Sequence, residues 1–272
     1  MSTNPTVAPK KRGRLRKHDR QARILALLRA NPAVRIAALA REFDVSTETV
    51  RRDLDELSRA GELSRTYGGA ARTTVRHEAA IGERLRERVA ERERIGRLAA
   101  TLLRPADVLM IDGGSTTVQL ARVLAGETDD ELTIVTNSLD VARTAGTNPR
   151  LRIVLCPGDY NPHEGVVTGP ETLAFLERFH ADTAIIGASG LNTEGVSEAH
   201  PGAAWVKRRM IARAARRLLV LDSSKFDTVH FERVCTLEAV DGLVTDCRPE
   251  GPLAAALERA GVEIHLAGDA DR

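Results

Sequence analysis

An alternation of short apolar runs with helical stretches constrains the fold of this chain most strongly. The apolar runs span residues 108–111, 132–135, 151–155, 183–186, 218–221, 243–244 and 262–266. The helical stretches between them span residues 116–125, 138–145, 170–179, 204–217 and 251–260. Strands that alternate with helices predict an α/β unit with a mostly parallel sheet covered on both faces.

The turn at residues 112–117 is the most informative of the polar turns that follow the apolar runs. It reads Asp-Gly-Gly-Ser-Thr-Thr, and ligands bind beyond the carboxyl ends of the strands in such sheets. Two glycines allow backbone amides to approach an anion, the next helix points its positive end at it, and three hydroxyls donate. Lys225, at another strand end, would supply a neutralising charge. The pattern predicts a phosphate site without the lysine spacing of a nucleoside-triphosphate loop, although a plain turn capped by serine explains the same residues.

Residues 44–61 predict a second kind of site, a helix with one apolar and one charged face. Ser46 is a good N-cap, and Val50, Leu54 and Leu57 follow at helical spacing. Gly61 ends the helix. The opposite face carries Glu48, Arg51, Arg52, Asp55 and Arg59. Arginines near the start of an exposed helix suit phosphates or guanine edges in a major groove, whereas the alternative is a solvated charged face on an ordinary helix.

The residues around this helix favour the DNA interpretation. Two shorter helices are predicted upstream, over residues 18–30 and 35–43, and the turn at 44–46 is short, with Val45 at its corner. This is helix-turn-helix geometry. Leu63 and the turn at residues 66–69 then form a small β wing.

Charge is divided unevenly along the chain. Residues 1–76 contain 17 lysines and arginines against 8 acidic residues, a net charge of +9, whereas residues 77–272 carry −7. A basic small domain before an acidic larger one is expected when only the first part contacts a polyanion. The Lys/Arg-rich start of the chain predicts a disordered arm that adds phosphate contacts.

Other features exclude several classes of protein. No apolar run reaches the roughly 18 residues of a membrane span, and no secretory signal is recognisable. Three cysteines far apart predict neither disulfides nor a thiolate metal site and fit the cytoplasm. The histidines form no metal-binding pattern, so neither metal nor cofactor is predicted, and Trp205 is expected to pack on a helix.

The predicted domains follow from these patterns. They are a disordered basic arm (1–17), a winged helix-turn-helix domain (18–72), a linker with a linker helix (73–92) and an α/β domain (93–268). Residues 82–103 predict one charged helix with Leu85, Val89, Ile95, Leu98 and Leu102 as its buried positions.

The N-terminal motif resembles the DeoR-type helix-turn-helix of bacterial transcription regulators. The resemblance rests on residues 45–57, on Gly61 and on residues 65–70, which read Arg-Thr-Tyr-Gly-Gly-Ala. Tyr67 departs from the family, which commonly has histidine there. The DNA-contacting residues predicted from the helix, the wing and this resemblance are Ser46, Thr47, Glu48, Thr49, Arg51, Arg52, Arg65, Tyr67 and Gly68.

The larger domain resembles the effector-sensing domain of the same family. The matching segments are residues 111–117, 135–138, 169–170, 181–182, 207–208 and 222–226. The resemblance implies a fold similar to sugar-phosphate isomerases and CoA-transferases, and a phosphorylated sugar or related metabolite as ligand. The implied ligand-binding residues are Asp112, Gly113, Gly114, Ser115, Thr116, Thr117, Thr136, Asn137, Lys207 and Lys225. Residues 156–158 and 200–204 depart from the family pattern.

The sequence therefore predicts a cytoplasmic transcription repressor of carbohydrate-metabolism genes that is not an enzyme. It would bind double-stranded operator DNA as a homodimer or homotetramer, under control of a phosphorylated sugar or related metabolite, without contact to a membrane. One alternative is a sugar-phosphate isomerase or acyl transferase with an accessory DNA-binding module. Another is a DNA-binding scaffold that senses no ligand.

Overall fold

The chain forms two compact units, Met1–Arg76 and His77–Arg272, called here the N-terminal and C-terminal units. The computed structural model describes residues 16–30, 33–59, 63–66, 69–72 and 78–268. The predicted disordered arm, apart from its last two residues, and Gly61, Tyr67 and Gly68 lie outside that description. Within it, no helix is both long and apolar enough to cross a bilayer.

The N-terminal unit contains the predicted helix-turn-helix and wing. Its elements are α1 (Lys17–Ala30), β1 (Ala33–Arg35), α2 (Ile36–Glu42), α3 (Thr47–Arg59), β2 (Leu63–Thr66) and β3 (Gly69–Arg72). The apolar faces of the three helices share one core that includes Ile24, Leu39, Phe43, Val50 and Leu54. β2 and β3 pair antiparallel as the wing, and β1, which was not predicted, adds to the edge of β3. The sequence pattern placed the helices correctly because each has a clear apolar stripe.

The C-terminal unit is built on a seven-stranded sheet. Its strands are β4 (Val108–Ile111), β5 (Leu132–Thr136), β6 (Leu151–Leu155), β7 (Asp159–Asn161), β8 (Val166–Thr168), β9 (Ala181–Ile186), β10 (Gly190–Asn192), β11 (Gly195–Glu198), β12 (Ala214–Val220), β13 (Glu232–Cys235), β14 (Gly242–Thr245) and β15 (Glu263–Leu266). Its helices are α4 (Ile81–Arg84), α5 (Val89–Thr101), α6 (Ser115–Glu127), α7 (Leu139–Ala145), α8 (Pro170–Leu176), α9 (Pro201–Ala212) and α10 (Gly251–Arg259).

The main sheet has the order β15-β14-β12-β9-β4-β5-β6, and every neighbouring pair is parallel. This confirms the predicted α/β class and all seven apolar runs. Alternate residues of β4 lie in hydrophobic cores on opposite faces of the sheet. Ile111 packs with Ile95 of α5, whereas Met110 packs with Met210 of α9. Both faces of the sheet are therefore covered by helices, as parallel sheets require.

Two small antiparallel sheets were not predicted. β7 pairs with β8, and β10, β11 and β13 form a three-stranded sheet. These strands are only three or four residues long, too short for a recognisable alternation of apolar and polar residues. A bridge between Ser138 and Val166 links β8 to the loop that follows β5. The unpredicted elements thus lie at the carboxyl ends of the main strands.

The single charged helix predicted over residues 82–103 was wrong. The structure contains the short helix α4 and then α5, and Arg88 between them has a φ of 50°. This left-handed conformation is unfavourable for a residue with a side chain and interrupts the helix. Val89, predicted to be buried, is 38% exposed.

The helix predicted over residues 204–217 was also wrong at its end. α9 ends at Ala212, and Ala214–Val220 is the strand β12, which pairs with β9 from Ala214 onward. Pairing within the sheet therefore outweighs the helical preference of this Ala/Arg-rich segment. Trp205 was expected to pack on the helix, but it is 55% exposed, with the Arg208 guanidinium 4.7 Å from its ring centre.

Candidate nucleic-acid interface and effector cavity

The helix α3 has the two faces that the sequence predicted. Val50, Leu54 and Leu57 are buried against the other two helices. The Thr49 N–H donates to the Ser46 hydroxyl at 3.1 Å, which confirms Ser46 as the N-cap. The helix is thus fixed in the unit through its apolar face, and its first turn is held by a side-chain cap.

The exposed face of α3 carries a compact charged cluster. Glu48 lies 3.6 Å from Arg51 and 3.6 Å from Arg52, and all three side chains are more than half exposed. Exposed pairs of this kind are each worth only about 0.2–1 kcal/mol. A polyanion can therefore take both guanidinium groups away from Glu48 at small cost.

A buried ion pair that sequence reasoning missed fixes α3 to α1. Arg20 Nη2 donates to Asp53 Oδ1 at 2.9 Å, and both residues are less than 9% exposed. The sequence did indicate that Arg20 is buried, because Arg20 precedes Ile24 and Leu28 at four-residue spacing. Asp53 likewise falls three residues after Val50, so the helical period places both charges on buried faces.

The structure brings together most of the residues predicted to contact DNA. Ser46, Thr47 and Glu48 are exposed at the start of α3, Arg51 and Arg52 follow on the next turn, and Thr49 is half-buried. Arg65 lies in β2, the first strand of the wing. Tyr67 and Gly68 lie outside the described residues. A capped helix with two exposed arginines can enter a major groove and donate to phosphates or to guanine edges.

In the C-terminal unit, a cavity opens at the carboxyl end of β4. Gly113, Gly114, Ser115 and Thr116 line it, together with side chains from several other loops. α6 begins at Ser115, so its first amides, which have no acceptor within the helix, lie at the cavity. A side chain at position 113 would meet Val166 at 2.0 Å, so the close approach of β8 requires glycine there.

Lys207 of α9 connects the predicted loop to a carboxylate that was not predicted. Its ammonium group contacts Asp112 and lies 3.2 Å from Glu198. Burial lowers the pKa of Lys207, but the attraction of Asp112 and Glu198 outweighs it and raises the pKa above its ordinary value. Burial raises the pKa of Asp112 to about 6, although Lys207 and the Gly187 N–H oppose the shift. Lys207 and Asp112 are therefore both charged at neutral pH.

Glu78 is the centre of a second cluster at the same cavity. Its carboxylate lies 2.5 Å from Lys225 Nζ and 3.3 Å from Arg84 Nη1, and it accepts the Ser189 hydroxyl. Arg84 also pairs with Glu164 at 2.5 Å. Burial raises the pKa of Glu78, but Lys225 and Arg84 outweigh it and lower the pKa to about 2. Each cation at the cavity is thus paired with a carboxylate.

Charged contacts also hold the segment between α4 and α5 to the sheet. Arg92 is buried and donates to Asp222 at 2.9 Å, and Arg88 contacts Asp222 at 3.3 Å and Asp246 at 3.1 Å. The two carboxylates follow β12 and β14. Burial raises the pKa of Asp222, but hydrogen bonds from Ser224 and the charge of Arg92 lower it below its ordinary value.

The predicted ligand-binding residues separate into two groups. Gly113, Gly114, Ser115, Thr116, Lys207 and Lys225 line the cavity, and Asp112 contacts it through Lys207. Thr117, Thr136 and Asn137 do not line it. Their side chains bond to Gly114 O, Ser138 N and Val167 O, and thereby hold the surrounding loops.

Sequence reasoning missed four charged residues of the cavity. They are Glu78, Arg84, Glu164 and Glu198. Arg84 and Glu164 are 80 residues apart in the chain, and nothing in their local patterns indicates that they meet. Arg84 follows Ile81 at helical spacing, which was the one available sign that it is buried.

Two family models match the two units of the chain. Residues 20–76 match a DeoR-like helix-turn-helix domain, and residues 87–247 match a DeoR C-terminal sensor domain. The chain belongs to the DeoR family. The resemblance drawn from the two motifs is thereby confirmed for both halves of the chain.

Relatives of this DeoR-family chain match it over nearly its whole length. The HTH-type transcriptional repressor GlcR of Bacillus subtilis is 31% identical over 90% of this chain and 95% of its own. The glycerol-3-phosphate regulon repressor of Escherichia coli is 30% identical over 93% of this chain and 100% of its own. The relatives therefore share both units with this chain.

Solved structures resemble the chain more distantly. Ribose 5-phosphate isomerase A of Methanocaldococcus jannaschii has a TM-score of 0.38 and 16% identity, over 50% of this chain and 53% of its own. The translation initiation factor eIF-2B of Pyrococcus horikoshii has a TM-score of 0.42 and 17% identity, over 85% of this chain and 82% of its own.

Proposed function

We propose that this protein is a cytoplasmic transcription repressor of carbohydrate-metabolism genes, controlled by a phosphorylated sugar or related metabolite. Its N-terminal unit binds double-stranded operator DNA, and its C-terminal unit binds the metabolite. The names of the relatives support this proposal, since GlcR is a transcriptional repressor and the Escherichia coli relative represses the glycerol-3-phosphate regulon.

The observation that carries the DNA-binding half is the exposed arginine pair on the capped helix α3. Arg51 and Arg52 are 57% and 78% exposed, and their partner Glu48 is itself exposed at 59%. The N-terminal unit also carries the +9 charge that a polyanion attracts. One such helix reads few base pairs, so we expect a homodimer or homotetramer on repeated half-sites.

The cavity supports the ligand-binding half of the proposal. Arg84, Lys207 and Lys225 line it together with the first turn of α6, and cations beside a helix N-terminus favour a phosphate. We expect no turnover of the metabolite. Asp112, the carboxylate whose pKa of about 6 suits a base, is buried against Lys207 rather than among the groups that line the cavity.

The test begins with DNA sequences selected from a random pool by the full-length protein. Replacing Arg51 and Arg52 together with alanine is expected to weaken binding to the selected DNA. Each lost phosphate contact reduces the slope of log affinity against log salt concentration by about 1. Each lost bidentate guanine contact costs about 1–3 kcal/mol of binding free energy. Affinity is measured by fluorescence anisotropy across a salt series.

The matched control is the double variant R122A/R143A, which removes two exposed arginines from the C-terminal unit. It should bind the selected DNA as the wild type does. If the α3 variant keeps the wild-type affinity and salt slope, α3 is not the DNA-reading helix.

A further inference from the structure

Glu78 is held at the cavity by the same kinds of groups that bind a phosphate. Its carboxylate contacts an ammonium, a guanidinium and a hydroxyl, from Lys225, Arg84 and Ser189 respectively. The Glu78 side chain is only 5% exposed. Charged donors of this kind form short, strong hydrogen bonds to carboxylate and phosphate oxygens alike.

The cavity has no room for a metabolite beside this carboxylate. Its volume is about 20 Å³, space for about one water molecule. A phosphate placed against Lys225 and the start of α6 would also lie next to the Glu78 charge, and like charges at short range repel. A phosphate therefore enters only if a carboxylate leaves.

We infer that Glu78 occupies the anion position of the effector cavity, and that the phosphate of an incoming metabolite displaces it from Lys225, Arg84 and Ser189. The inference rests on the proposed function. A phosphate carries more charge than a carboxylate and offers more acceptor oxygens, so it competes well for these donors.

The place of Glu78 in the chain makes this displacement a route to the N-terminal unit. Glu164 lies in the turn between β7 and β8 and Glu198 ends β11, so both belong to the body of the C-terminal unit. Glu78 precedes α4, only six residues after Arg72 ends the wing strand β3. Displacing Glu78 therefore releases residues 78–80, which lead into α4, and the population shifts between the attached and released positions of this segment.

The first measurement is the affinity of inorganic phosphate, and then of glycerol 3-phosphate, for the full-length protein by calorimetry. Glu78→Gln is expected to lower the Kd by about 10- to 100-fold, because the competing carboxylate no longer fills the position in most molecules. The matched control is Glu83→Gln on the exposed side of α4, which should leave the Kd unchanged.

The second measurement needs no variant and so does not depend on the folding of E78Q. The Ile81 N–H donates to His163 O at 2.8 Å and reports whether the segment is attached. Phosphate should accelerate hydrogen exchange at Ile81 in the wild type by tenfold or more. Unchanged or slower exchange with phosphate bound would show that the segment stays in place.

The outcomes separate this inference from the proposed function. If the wild type binds phosphate and E78Q binds it no more tightly, the displacement is wrong while the effector site stands. If E78Q binds these probes and the wild type does not, the result would support the displacement and show that Glu78 outcompetes the probes in the wild type. If neither protein binds either probe, both the displacement and the phosphate-sensing function are wrong.

Discussion

Asp53 carries a charge into the core of the N-terminal unit, where it forms an ion pair with the buried Arg20. Asp53→Asn leaves the guanidinium of Arg20 buried without its counter-charge. Removal of one partner from a buried pair costs about 3–5 kcal/mol. We expect this loss in the free energy of unfolding of the unit, measured by urea denaturation of the full-length protein.

The control for Asp53 is the exposed pair between the same two helices. Lys17 and Glu56 lie 2.7 Å apart, and their side chains are 60% and 37% exposed. Glu56→Gln should cost less than about 1 kcal/mol, because water screens this pair. Equal losses of unfolding free energy in the two variants would mean that the burial of Arg20 and Asp53 contributes nothing to stability.

Glu78 gives the C-terminal unit a stability that depends on pH. Its pKa falls from 4.5 to about 2 on folding, so its contribution is fully present above pH 4.5 and is lost as the pH falls towards 2. We expect E78Q to be about 3 kcal/mol less stable than the wild type at neutral pH. The difference should shrink below pH 4.5, as followed by thermal unfolding. A difference that is the same at pH 6 and pH 3 would contradict the ion pairs of Glu78.

At the scale of single elements, α3 combines a fixed apolar face with a charged face whose internal pairs are weak. Glu48→Ala removes a carboxylate that lies 3.6 Å from Arg51 and 3.6 Å from Arg52. We expect non-specific DNA affinity to rise about two- to fivefold, in line with about 0.2–1 kcal/mol for exposed pairs. Fluorescence anisotropy with a DNA duplex of random sequence measures this affinity. Weaker or unchanged binding by the Glu48 variant would count against the pairing.

The strands of the sheet could be predicted because buried parallel strands are short apolar runs in any context. Residues 108–111 and 151–155 are strands with the predicted bounds. The break between α4 and α5 could not be predicted in this way. Arg88 and Arg92 bend the chain through ion pairs with Asp222 and Asp246, which lie 130 or more residues away. A helical period in the sequence contains no information about such partners.

The same limit applies to the candidate site. The loop at residues 112–117 was found because its glycines and hydroxyls are adjacent in the chain, and Gly113, Gly114, Ser115 and Thr116 do line the cavity. Thr136 ends the neighbouring strand β5 and Asn137 follows it, yet their side chains bond to the backbone of Ser138 and Val167. Glu78 and Arg84 lie where the sequence shows only a charged linker. Their roles depend on contacts that the folded unit alone creates.

At the scale of the whole molecule, Glu78 belongs to the sensing unit and follows the wing strand β3 of the DNA-reading unit by only six residues. Regulation requires that the metabolite bind differently to the attached and released positions of the segment that carries Glu78, because a ligand of equal affinity for both shifts nothing. Lys225 is central to that difference, since it holds Glu78 in this structure and would hold the phosphate instead.

The most direct test measures the Kd of the full-length protein for its selected DNA with and without a panel of phosphorylated sugars. The account predicts that at least one changes the Kd by about fivefold or more, that its unphosphorylated counterpart does not, and that Lys225→Gln abolishes the response. A protein that binds its DNA equally well with every phosphorylated sugar, at concentrations that saturate the cavity, would contradict the account.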